Sequence, residues 1–429
     1  MSLELELTTR RLTPTATLPV SLRPDRTRTR QPRTARVAPS LRRFLLFQGL
    51  SQGADAATTV TLAQVVVFSL ERGATPATVV RALATGAVPY FLALPVAGLI
   101  SDRWARRRTL AVAQVLRALL TLGATAVPLT RSIPLGYAFV IALLATSGFC
   151  TSVRSASLPH VVDPQRLVAA NSWSSLVAKF AGMLALAGAV VVGRSHPVPF
   201  LVFAAALHLL AAVGFGTWRR DLGGHGWPAC TIHFGQILRR ASSLVTSPPV
   251  STPVRAALGH RLLQGATMMT FVVIAEERFH LGASGYATAI GATAVGTFLG
   301  TAITPALLAR HSPDRCGVVA WMMGAAALLV AFLLMHPAAA IVALVVVGGG
   351  FQVARLLADT TVQVAVLDDA LGRVYSLYDA SFHVALLSGA VLAFLVPGLG
   401  SAPPLLALAL LHLTAGLLRH RTHLVGKAS

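Results

Sequence analysis

Acidic residues are scarce: the chain of 429 residues holds 15 Asp and Glu against 36 Lys and Arg, and charged residues of both signs make up only 12%. Soluble globular domains run near 25% charged. That shortage, together with 55% hydrophobic residues and a mean hydropathy of +0.69, excludes an ordinary soluble fold and indicates a polytopic membrane protein. Cysteine is almost missing. Cys150, Cys230 and Cys316 lie far apart with no CxxC and no Cys/His zinc spacing, so neither a disulfide framework nor a metal site is indicated. Lysine occurs only at Lys179 and Lys427. Also lacking are an Asp-x-Asp or His/Glu metal cluster, a G-x-S-x-G turn and a soluble domain large enough for a nucleotide, which argues against a membrane enzyme. The net charge of +21 does not point to nucleic acid, because the arginines sit in the N-terminal stretch and in gaps between apolar runs.

What is present is organised around residues 98–108, where Gly98, Asp102, Arg103, Arg106, Arg107 and Arg108 form a short charged knot between two apolar runs. Each flanking run is about the 20 residues that a helix needs to cross a bilayer. The spacing predicts twelve spans: Phe44–Leu70, Thr78–Ile100, Thr109–Leu129, Leu135–Val153, Leu167–Val192 and Pro199–Thr217, then Val254–Ile274, Ala287–Leu308, Gly317–Met335, Ala338–Ala358, Val374–Val396 and Leu405–Leu418. Residues 1–41 read as a basic, disordered tail whose arginines suit an anionic leaflet, and residues 1–40 hold no apolar run long enough for a signal-peptide core. Residues 218–253 read as a linker, with a short helix around Ile232–Leu244, between bundles at 42–217 and 254–420; residues 421–429 form a second tail. Counting basic residues on alternate connections puts Arg103, Arg106, Arg107, Arg108, Arg166, Arg219, Arg220, Arg239, Arg240, Arg310, Arg315, Arg373, Arg419, Arg421 and Lys427 on one side. The other side receives only Arg72, Arg131, Arg194 and Arg278. Basic loops stay in the cytoplasm, so both termini are expected there, in a multi-pass protein of the plasma membrane. A faint repeat, Gly148-Phe149 with Arg154 against Gly350-Phe351 with Arg355, fits two pseudo-equivalent halves with a site between them.

The pattern G-x-x-x-D-R-x-x-R-R-R over residues 98–108 resembles the loop between helices 2 and 3 of the major facilitator superfamily (MFS) of secondary transporters, with Ala105 where the family usually has glycine. Residues Arg154 to Ser172, residues Leu371 to Val374, and Gln52 to Asp55 are similar to the drug-efflux branch related to macrolide and enterobactin exporters. The antiporter motif of helix 5 is not matched, since Met183 follows Gly182. The resemblance implies an all-α membrane protein of two six-helix bundles. It also implies a gating role for Gly98, Asp102, Arg103, Arg106 and Arg107, with Asp102 near the N-terminal end of helix 11.

Ionisable groups inside spans need a reason, since each costs about 2.5–3.5 kcal/mol on insertion scales. Asp55, near the middle of the first span, is a candidate proton carrier because burial favours its protonated form. Asp379 and His383 share a helix face four residues apart and form the second candidate, a carboxylate beside an imidazole. Arg117, Arg355 and Glu276 are candidates for the substrate. Arg81 and Arg261 read as structural, and the glycine pairs Gly49/Gly53 and Gly296/Gly300 as packing. The expected function is secondary active transport: proton-coupled efflux of a small apolar or amphipathic compound by a monomeric antiporter of the multidrug-resistance kind, powered by the proton gradient with no cofactor and no nucleic-acid partner. Uptake, lipid flipping, or a transport-inactive sensor on the same fold are the alternatives.

Overall fold

The computed structural model of the protein describes residues 38–65, 104–193, 195–224, 239, 242–243, 245–247, 250–280, 283–396 and 402–428. Eleven long helices follow one another among the described residues, with no strand: α1 (Pro39–Ala63), α2 (Arg106–Gly123), α3 (Ile133–Ser157), α4 (Leu167–Gly188), α5 (Pro197–Gly216), α6 (Ser251–Glu277), α7 (Ala283–Arg310), α8 (Pro313–Leu334), α9 (Pro337–Ala365), α10 (Asp368–Phe394) and α11 (Pro403–Ala428). Starts are written in local chemistry. Pro39, Pro197, Pro313, Pro337 and Pro403 open helices at a position where the missing N–H is not needed. Ser132 and Ser312 accept the main-chain N–H of Leu135 and Arg315, both at 3.4 Å.

The predicted spans that fall on described residues are largely helical, while residues 66–70 and Thr78–Ile100 lie outside them, as does most of the short helix expected at Ile232–Leu244. Among the described residues, eight helices are long and apolar enough to cross a bilayer by length and composition. The exceptions, α1, α6 and α11, carry polar residues such as Gln48, Asp55, His260, Arg261 and Arg419. Two boundaries differ from expectation. Helix α2 stops at Gly123 and a short helical turn resumes at Ala126–Thr130, because Pro128 has no N–H to return to Ala124. Helix α11 continues past Leu418 to Ala428, so residues 421–428 are helical.

The chain repeats its own helix pairings. In the first half α2 packs on α5 and α1 on α4; in the second half α8 packs on α11 and α6 on α10, which are the same relations displaced by six predicted spans. Gly296 and Gly300 meet the main chain of α9 at Val345 and Gly349, as the small-residue spacing leads one to expect. Burial is inverted relative to a water-soluble protein: Leu119 and Val213 are 61% and 63% exposed while Arg117 and His208 are 1% and 0% exposed. Such a surface suits lipid and such an interior suits a polar route through the protein. The halves touch through α3 with α10, α4 with α7, and α4 with α9.

Candidate functional site

The first cluster lies where the two halves meet beside residues 218–224, here termed the linker face. Arg106 opens α2 and is wholly buried. Its Nη1 donates to the main-chain oxygens of Ala156 and Leu222 at 2.9 and 3.3 Å and to Asp368 Oδ1 at 2.6 Å; Nη2 donates to the Asp368 main-chain oxygen at 2.8 Å. His160 Nε2 donates to the same carboxylate at 2.8 Å, and the Gly224 N–H lies 3.4 Å from Oδ2. Asp368 stands two residues before the apolar stretch of α10. Burial pushes its carboxyl up, but the His160 hydrogen bond and the Arg106 charge outweigh that and hold it well below the usual carboxylate range. Gly223 lies at φ +81°, and a Cβ there would fall 2.6 Å from Arg106 Nη1 and 2.8 Å from Asp368 Oδ2. Arg107 donates to the Trp218 main-chain oxygen at 2.9 Å. Further in, Asn171 and Gln363 form a reciprocal amide pair at 2.7 and 3.2 Å, and Gln363 also donates to the Ser155 main-chain oxygen at 3.1 Å.

The second cluster sits inside the first half. Asp55 of α1 is ion-paired with Arg117 of α2, and Ser147 of α3 donates to its Oδ2 at 3.3 Å. His208 of α5 brings Nε2 to 3.6 Å from Asp55 Oδ1. The other ring nitrogen, Nδ1, donates to Gln114 Oε1 at 2.8 Å, while Gln114 Nε2 donates to Ser51 Oγ at 2.9 Å. That chain of bonds assigns the tautomer. With its proton on Nδ1, a neutral His208 turns an unprotonated nitrogen toward a carboxylate oxygen, so two acceptors face each other across a gap. Arg154 of α3 lies 3.5 Å from Ser51 Oγ and 3.0 Å from Thr151 Oγ1. Asp55 is therefore not the isolated acid that its local sequence suggests.

The third cluster belongs to the second half and to the seam. Arg355 of α9 bridges Asp379 of α10 at 2.5 Å and Asp359 at 3.5 Å, with its guanidinium 4.4 Å from the Phe382 ring centre. The expected carboxylate–imidazole contact within α10 does not form. Asp379 turns its carboxylate to Arg355, and His383 Nδ1 instead donates to the Asp379 main-chain oxygen at 2.8 Å. Arg261 of α6 donates to Gln264 at 2.8 Å and lies 4.7 Å over the Phe351 ring. Across the seam, Gln352 of α9 donates to Ser175 of α4 at 3.3 Å, and Thr301 of α7 lies 3.5 Å from the same hydroxyl. Lys179, one turn further along α4, donates to Ser175 Oγ.

Of the residues singled out in the sequence, Asp55 and Arg117 come together in one cluster, Asp379 and Arg355 in another, and Arg106 and Arg107 at the linker face. Glu276 is exposed in the last turn of α6, about 22 Å along the helix from Arg261 by the helical rise, and joins none of them. Gly98, Asp102 and Arg103 lie outside the described residues. Met183 is 58% exposed on the outer surface, whereas the Cβ position of Gly182 lies 3.9 Å from Ala56 Cβ, so the departure from the helix 5 motif leaves the α1 contact intact. Sequence reasoning passes over His208, His160 and Asp368. His208 is a lone imidazole in an apolar run, and its partners arrive from helices far away in sequence.

The sequence model of the family described as Major Facilitator Superfamily matches residues 45–417. Uncharacterized MFS-type transporters of Mycobacterium tuberculosis and Mycobacterium bovis are each 30% identical over 419 residues, spanning 90% of this chain and 92% of the relative. Among solved structures, a bacterial homologue of the iron transporter ferroportin in an outward-facing state superposes with a TM-score of 0.65 at 16% identity, over 91% of this chain and 100% of that one. The proton:xylose symporter XylE bound to 6-bromo-6-deoxy-D-glucose gives 0.65 at 14% identity, over 89% and 95%.

Proposed function

As the chain belongs to the major facilitator superfamily, we propose that it is a secondary active transporter that exports a small amphipathic compound in exchange for protons. The observation that carries this reading is the Asp55 carboxylate held between Arg117 and His208 in a polar cluster inside the first half. A proton entering the 3.6 Å gap between His208 Nε2 and Asp55 Oδ1 converts two facing acceptors into a hydrogen bond and weakens the hold of Arg117 on Asp55. Helices α1, α2 and α5 then have a second arrangement available, and alternating access needs such a two-state element. The second half holds an ionic contact of its own, Arg355 with Asp379.

On this reading the linker face is cytoplasmic, in keeping with its arginines. The Arg106–Asp368 knot and the Asn171–Gln363 pair then hold the cytoplasmic side shut, leaving the opposite side available to release cargo. Twelve crossings, cytoplasmic termini, residence in the plasma membrane and a monomeric state complete the proposal. Efflux is favoured by the resemblance of residues 154–172 to exporters.

Inside-out vesicles test it. A pH gradient should drive accumulation of a tritiated amphiphile, and Asp55→Asn should abolish that accumulation. Undiminished gradient-driven flux in Asp55→Asn, in Asp379→Asn and in the double variant would remove the proton sites from the mechanism.

A further inference from the structure

A lysine halfway along a transmembrane helix is expensive and wants a counter-charge. Lys179 stands 12 residues into α4, about 18 Å from the linker face by the helical rise, yet among the described residues it forms no ion pair. The partner of its ammonium is the neutral Ser175 hydroxyl. Of the charges near it, Arg355 and Arg261 repel it and Asp359 attracts it. Asp359 and Asp379 are both already engaged by Arg355. Among the described residues both carboxylates thus belong to Arg355, and Lys179 has none of its own.

Position matters as much as charge. Hydrogen bonds between the two halves run from the linker face inward as far as Ser175, with Gln352 and Thr301. Lys179 is the next turn beyond that seam and is only half-buried. Its ammonium therefore lies one turn past Ser175, on the floor that these hydrogen bonds make between the halves, with the Ser175 hydroxyl and the Gln352 amide beside it as further donors. We infer that this floor is an anion site, and that the cargo is an amphipathic organic monoanion whose carboxylate or sulfonate sits on Lys179. This deepens the transporter reading and rests on it.

The test uses the full-length protein in nanodiscs with three probes built on one ring system: 2-naphthoate, the neutral 2-acetonaphthone and 2-naphthylmethylammonium. Equilibrium dialysis against empty nanodiscs corrects for partition into lipid. Binding of 2-naphthoate is expected to exceed that of the other two by about tenfold. Lys179→Met should erase the preference, and Lys179→Arg should retain it. Removing a charge from a span does not threaten insertion, and a monodisperse elution profile confirms folding of each variant. Equal or tighter binding of the neutral or cationic probe, a preference that survives Lys179→Met, or no binding of 2-naphthoate to the folded protein would each overturn the inference. Flux of the same probes in proteoliposomes separates the two claims. Movement without charge preference removes the anion site and keeps the transporter, whereas charge-selective binding without movement in either direction keeps the site and removes the transporter.

Discussion

Arg106 and Asp368 lie 262 positions apart and meet through two hydrogen bonds, Nη1 to Oδ1 at 2.6 Å and Nη2 to the main-chain oxygen at 2.8 Å, with Arg106 completely buried. Their union joins the two halves at the linker face. Asp368→Asn keeps the main-chain contact and removes the charge. Since Asp368 is 43% exposed, solvent screens part of the loss, and the open-to-closed ratio should rise roughly 5- to 30-fold, equivalent to about 1–2 kcal/mol. Spin labels at Arg166 and Leu367, both exposed, read this as growth of the longer distance population. An unchanged distance distribution would show that the knot does not control closure.

The pH behaviour of that knot has a definite sign. Its carboxyl is depressed in the closed state, so its contribution to closure is complete above the ordinary aspartate value of about 3.9. The contribution is lost only as pH falls through the lower, closed-state value. Between pH 5 and 8, in a His160→Gln background that removes the imidazole bonded to this carboxylate, the proteins with Asp368 and with Asp368→Asn should therefore give parallel curves of closed population against pH. Curves that converge within that window would assign the group a different titration.

On the proposed mechanism, His208 separates coupling from carriage. Replacing it with leucine removes the nitrogen facing Asp55 Oδ1 while leaving Arg117 in place. Gradient-driven accumulation should fall to background in His208→Leu, and exchange of cargo across the membrane with no gradient should continue. Loss of both activities to the same degree would make His208 a packing residue.

Arg117 is 1% exposed and neutralises Asp55, so Arg117→Met strands a buried carboxylate. Breaking one side of such a pair costs about 3–5 kcal/mol, visible as a lower melting temperature in detergent. Adding Asp55→Asn should restore most of the loss, because the double variant leaves no unpaired charge. Equal melting temperatures for the single and double variants would show that the pair contributes nothing to the fold.

Much of the fold is legible from hydropathy because each span announces itself locally. Helix α9 reads as a continuous apolar run ending near Arg355, and the charged knot before Thr109 marks a tight connection. Clusters are harder. Asp368 and Asp369 look alike in sequence, and only the packing of α10 against the first half selects Asp368 for Arg106. Asp379 and His383 look like partners at helical spacing, but Arg355 arrives from α9 with a full charge, and the imidazole takes the main-chain oxygen one turn back. His208 is invisible for the same reason: its neighbours Asp55 and Gln114 come from α1 and α2, and no periodicity within α5 encodes them.

Gly223 occupies the crevice between Arg106, His160 and Asp368 with a left-handed backbone, and its own oxygen accepts the Arg106 N–H at 3.1 Å. The start of the connection between the halves, residues 218–224, is consequently part of the joint itself. A protein reassembled from two separately made pieces should still latch when the cut falls after Gly224, and should lose its latch when the cut falls before Leu222.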